Sequence, residues 1–156
     1  MIPINDYRQF VSELAAAASQ RSGVGYSKVR LAVTESQLVN LLKDQSGVVI
    51  AGNIPGAEIS NNGYWMSDGE CLLMVLEKMP ADYQGTEREA GRYAELQRLM
   101  AAMVKLLTGE DFQEFCDKGE VRLERPITIE WEYNAYGGFN GLSVTFTLRD
   151  RNGIGL

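Results

Sequence analysis

Two pairs of carboxylates stand at a spacing that could support chemistry, Asp68 with Glu70 and Glu130 with Glu132. Side chains two apart on a strand share a face, so either pair could divide proton donation and acceptance between its members. The same alternation is the ordinary wet face of a strand whose other face is apolar, and that is the simpler reading of both pairs. Glu110 and Asp111 could contribute to a divalent-ion site, yet acidic residues opening a helix are favoured by its dipole alone. The chain has no histidine, which removes Ser-His-Asp, Cys-His and histidine-zinc arrangements. Two separated cysteines cannot build a structural zinc site, and the glycines match neither phosphate-loop nor dinucleotide-binding patterns. No catalytic, cofactor-binding or metal residue is assigned, no cofactor is expected, and the expected role is non-enzymatic.

Aromatic loops are the stronger signal. The segment Asn134 to Gly141 carries Tyr136, Phe139 and Asn140, and a plain hairpin needs only two connecting residues. Its rings fold onto the core, form a contact surface or line a small-ligand pocket. The loop from Gly56 to Asp68, with Ile59, Tyr64, Trp65 and Met66, has the same readings, and Trp and Tyr are enriched where proteins grip partners. Tyr64, Trp65, Tyr136, Phe139 and Asn140 are therefore the candidate protein-contact residues.

The elements that must position these loops follow from periodicity. Tyr7, Phe10, Val11, Leu14 and Ala18 recur at helical steps, predicting a helix from Asp6 to about Ser19, with Asp6 and Gln9 as a capping box and Arg21 to Gly23 as the stop. Val29, Leu31 and Val33 alternate as a half-buried strand. Thr34 and Gln37 open a short helix carrying Leu38, Leu41 and Leu42, which ends near Gly47. Val48 to Ile50 and Cys71 to Leu76 read as a hairpin pair, with turns at Pro55-Gly56, Asn62-Gly63 and Asp68-Gly69 and a further short strand around Tyr64 to Met66.

Thr86 with Glu89 caps the longest helix, which runs to Leu107 before Gly109, and Phe112, Phe115 and Cys116 predict a further turn or two ending at Gly119. Val121, Leu123, Ile127, Ile129, Trp131 and Tyr133 then share one face of a strand, with Arg122, Glu124, Thr128, Glu130 and Glu132 on the other. Pro126 cannot donate a ladder hydrogen bond and marks an edge or a bulge. Leu142 to Leu148 returns as the second arm of a hairpin, and the chain frays from Asp150. The expected fold is α+β, an antiparallel sheet of four or five strands with helices packed on one face, in the order α-β-α-β-β-α-α-β-β. With no repeat or linker, residues 1–156 read as one domain.

Composition sets the class of partner. Fifteen basic against twenty-one acidic residues leave a net charge of −6, so nucleic-acid backbones and acidic membranes are disfavoured. No apolar run approaches the roughly 18 residues of a membrane span, and Asp6, Arg8 and Glu13 break any secretory leader. A cytoplasmic protein with Cys71 and Cys116 as reduced core thiols is expected.

The capped first helix, the apolar runs Gly47 to Pro55 and Cys71 to Leu76, the long helix, and the final hairpin with Gly137-Gly138-Phe139-Asn140-Gly141-Leu142 together resemble small phage and prophage structural proteins of the tail-terminator and neck kind. The resemblance implies ring assembly through sheets and loops, self-association or protein partners, and a location that includes the virion. It assigns no individual residue. Two other readings stand beside it: an acidic adaptor resembling small secretion chaperones, and a carboxylate-dependent enzyme or small-ligand binder.

Overall fold

A computed structural model describes residues 1–109 and 121–151. The described chain is α+β, in the order α1 (Ile4–Ser22), β1 (Lys28–Ala32), α2 (Glu35–Leu42), β2 (Val48–Asn53), β3 (Glu58–Asn61), β4 (Trp65–Lys78), α3 (Glu87–Thr108), β5 (Val121–Ala135) and β6 (Phe139–Asp150). A single 3-10 turn, Ala81–Tyr83, follows Pro80. The six strands form one sheet ordered β1-β2-β4-β6-β5, with β3 also paired to β4. Five of its strands are joined by antiparallel pairings, as expected, but β1 lies parallel to β2. The reason is α2, a crossover that returns the chain to the same end of the sheet before β2 begins.

That crossover also overturns the one-faced arrangement of helices. α1 and α3 cover one face through Phe10, Leu14, Leu99, Met103 and Leu106, packed on Ile50, Leu73, Val75, Val144 and Phe146. α2 covers part of the other face, where Leu38 and Leu42 meet Val49, Ala51, Met74, Leu76 and Phe139. Central strands β2 and β4 are consequently apolar on both faces and read as continuous runs in the sequence. α1 opens two residues earlier than Asp6 because Pro3 serves as its N-cap, and the Tyr7 amide donates to the Pro3 carbonyl. Gly23, in the left-handed region, stops it. At α2 half of the expected box forms, the Gln37 amide donating to Thr34 Oγ1, while Gln37 Oε1 reaches past the N-cap to accept from the Val33 amide. At α3 the expected box does not form: Glu89 accepts from the Gly85 amide, one residue before the N-cap, while the Thr86 hydroxyl donates to the Tyr83 carbonyl.

Asp68-Gly69 is not a turn but lies inside β4, the fourteen-residue strand that organises the sheet. One side of β4 pairs along its length with β6; the other pairs first with β3 and then with β2. Between Gly52 and Glu58 the chain takes six steps against five on β4, so one residue bulges out around Pro55. Asn53 mends the interrupted ladder with its side chain, donating to the Glu70 carbonyl and accepting from the Leu72 amide. The Asn62-Gly63 turn forms as expected, tightened by the Gly63 amide donating to Asn61 Oδ1.

β5 is an edge strand and is irregular around Pro126, so both expectations for that proline hold. β6 ends at Asp150, which is buried and paired with the N-terminal ammonium at 3.2 Å, so ordered strand extends to that residue. Cys71 is buried, and its Sγ donates to the Gly69 carbonyl. The expected turns around Phe112 to Gly119, the Glu110-Asp111 pair, Cys116 and residues 152–156 lie outside the described residues.

Candidate functional site

The two aromatic loops do not meet. Trp65 opens β4, whereas the β5–β6 turn sits beside Lys78 at its far end. Lys78 closes a strand of 14 residues that Trp65 opens, so about 43 Å of sheet lies between them at roughly 3.3 Å per residue. At the first end, Tyr64 and Trp65 stand exposed on the tip of the β3–β4 hairpin. At the other, β5 and β6 run further than expected and leave only Tyr136, Gly137 and Gly138 as the turn, closed by the Gly138 amide donating to the Ala135 carbonyl. Phe139 is 1% exposed and packs under α2, so its ring belongs to the core. Asn140 is likewise buried, and its Oδ1 accepts from the Asn134 amide at 2.6 Å. Asn134 and Tyr136 hold φ at 49° and 51°, left-handed values that this side-chain bond and the two following glycines sustain. Tyr136 is half-buried beside the α2 cluster.

A different row of residues is open. Ile129, Trp131 and Tyr133 on β5 are 46%, 55% and 62% exposed, although they continue the inward face of Val121, Leu123 and Ile127. α3 lies over β4 and β6 and reaches β5 mainly through Tyr93, whose ring meets Trp131 edge-on at 5.6 Å. A groove of about 410 Å³ remains between them, lined by Ala90, Tyr93, Ala94, Gln97, Trp131 and Tyr133. Its α3 wall is fixed by Arg92, which grips both Glu77 oxygens at 2.8 and 3.0 Å and Glu95 at 2.6 Å. The Tyr93 hydroxyl donates to Glu89 at 2.6 Å; burial first, then this carboxylate, pushes the phenol up to about 12. Gln84 donates to the Tyr133 hydroxyl at 2.9 Å, so both tyrosines are held in place. Periodicity put all six alternating residues of β5 on one face, and they are on one face. That only half is covered follows from the placement of α3 over β4 and β6.

The carboxylate pairs share faces as their spacing requires. Asp68 is clamped by Arg149, Nε and Nη2 each 2.8 Å from one of its oxygens, and this bond holds its carboxyl below the usual range. Arg149 also meets Glu124 at 3.3 Å, tying β4, β6 and β5 together. A carboxylate so held keeps its charge near neutrality and is a poor proton donor, while Glu70 beside it is exposed in a shallow open depression. Glu130 is exposed and Glu132 half-buried on the opposite face of β5 from Trp131. Among the described residues no group of three or more acidic or cysteine side chains could hold a metal, and no helix is long and apolar enough to cross a membrane. No protein-family profile matches the chain, and no curated protein matches it in sequence.

Proposed function

We propose that this protein is a non-enzymatic assembly protein that works by holding other protein chains, in the setting of a phage-like tail or neck. The observation that carries the reading is the open row Ile129, Trp131 and Tyr133 on an edge strand. Large apolar side chains clustered beside unpaired strand backbone are a template for another chain, and a chain that stayed alone would be expected to blunt such an edge. The second exposed pair, Tyr64 and Trp65, lies at the other end of the sheet and gives the molecule two separated contact regions, as a subunit with more than one neighbour requires. The phage-like setting rests on the resemblance of the layout. Light scattering coupled to size-exclusion chromatography across a wide concentration range tests the proposal. Species larger than the monomer that grow with concentration support it, and a monomer at every concentration up to the solubility limit overturns it.

A further inference from the structure

The two outermost strands of the sheet are chemically complementary. β1 presents Lys28 and Arg30 on the α2 side and Val29 and Leu31 on the α1–α3 side. β5 presents Glu130 and Glu132 on the α2 side and Ile129 and Trp131 on the α1–α3 side. Lys28 and Arg30 make no ion pair among the described residues, nor do Glu130 and Glu132. The Arg30 Nε is in addition buried without a hydrogen-bond partner among the described residues. Strand directions also agree. β1 runs with β2, and three antiparallel steps through β4 and β6 leave β5 running opposite to β1.

We infer that the β5 edge takes the β1 edge of a second copy of this chain, head to tail, so that one sheet continues antiparallel across the boundary. This interface rests on the assembly reading above and specifies its partner. The register is set by charge. Glu130 opposite Arg30 and Glu132 opposite Lys28 bring Ile129 against Leu31 and Trp131 against Val29 on the other face. Shifting by two residues leaves a single opposite-charge pair, and shifting by one puts charged side chains on the apolar face. Lengths agree as well: β1 has five residues, and β5 keeps regular register with β6 over Thr128 to Glu132 between its two irregularities.

Pairing of β5 with its own twin is disfavoured, because antiparallel registers centred on this stretch set glutamates of the two copies against one another. The neighbour's α1 accompanies its β1, on which it packs within one copy, and comes to lie beside α3 above Trp131 and Tyr133. The groove is thereby filled by the helix that the fold itself supplies. A head-to-tail contact of this kind closes into a ring or propagates as a filament.

Charge reversal at each edge tests the interface, read by sedimentation velocity with circular dichroism as the check on folding. Glu130→Lys with Glu132→Lys, and separately Lys28→Glu with Arg30→Glu, each set like charges across the boundary and weaken self-association by at least about tenfold. Mixing the two variants, or combining all four substitutions in one chain, restores opposite charges and restores association. Wild-type association that survives unchanged in both variants overturns this interface and leaves the assembly reading standing. Loss of association in the β5 variant with the β1 variant unchanged overturns it in favour of a contact that uses β5 without β1. A wild-type monomer at all concentrations overturns both.

Discussion

Replacing Trp131 by Thr separates a contact residue from a core residue. About half of the indole is open to solvent, roughly 130 Å² of a side chain offering about 250 Å². Covering that area is worth about 3 kcal/mol at about 25 cal/mol per Å², so its loss weakens association by about a hundredfold or more at each boundary that uses it. The roughly 120 Å² already covered within the fold is worth about 3 kcal/mol at the same coefficient, and Thr, which keeps the strand propensity, goes on covering part of it, so folding loses less than association. The internal control is Leu142, which faces Trp131 across the β5–β6 ladder and is buried. Leu142→Ala removes core volume and costs about 2–5 kcal/mol of folding stability. Urea unfolding of monomeric protein and sedimentation of concentrated protein, run on both variants, give the two readouts. The reasoning is refuted if Trp131→Thr lowers the unfolding midpoint as far as Leu142→Ala and leaves association untouched, because the ring then serves the fold.

Four further outcomes follow from the geometry. Asp68 has a lowered folded pKa, so its pairing with Arg149 stabilises the fold above the ordinary aspartate range and is lost as pH falls from about 4 through the lowered value; Asp68→Asn should flatten that part of an acid-unfolding curve. A Cβ at Gly141 would stand 1.9 Å from the Val75 carbonyl oxygen, so Gly141→Ala should cost about 1–3 kcal/mol or more in urea unfolding by forcing β6 from β4. Asn53→Ala removes both side-chain bonds that bridge the bulge and should cost about 1–3 kcal/mol. Glu89→Gln should bring the Tyr93 ionisation, followed by tyrosinate absorbance, part of the way down from about 12, since burial remains its larger cause.

The helices were legible because each carries one apolar stripe with a stop: Tyr7 to Ala18 before Gly23, and Leu96 to Leu107 after Thr86. The hairpin of β5 and β6 was equally plain from its alternation. The parallel β1–β2 pair was not, because Val48 to Ala51 looks the same whichever neighbour it takes, and only the placement of α2 on the opposite face decides it. Asp68-Gly69 has turn composition, yet Gly69 is there so that the bulged backbone at Gly56 can approach within 3.2 Å of the position its Cβ would take. At the candidate site, Tyr64 and Trp65 were found by residue type. Phe139 and Asn140 were drawn in by a loop that proves to be mostly strand. Ile129, Trp131 and Tyr133 were seen as a face, but their exposure depends on where α3 ends its coverage, a tertiary fact that no local pattern carries.

The most direct test is residue-resolved hydrogen exchange across Thr128 to Glu132, measured in dilute and in concentrated protein. The amides of this stretch that do not bond to β6 should exchange freely when dilute and become protected as neighbouring chains dock, while those paired with β6 stay protected throughout. Free exchange of the outward amides in concentrated, associated protein would contradict the assignment of β5 as the edge that holds another chain.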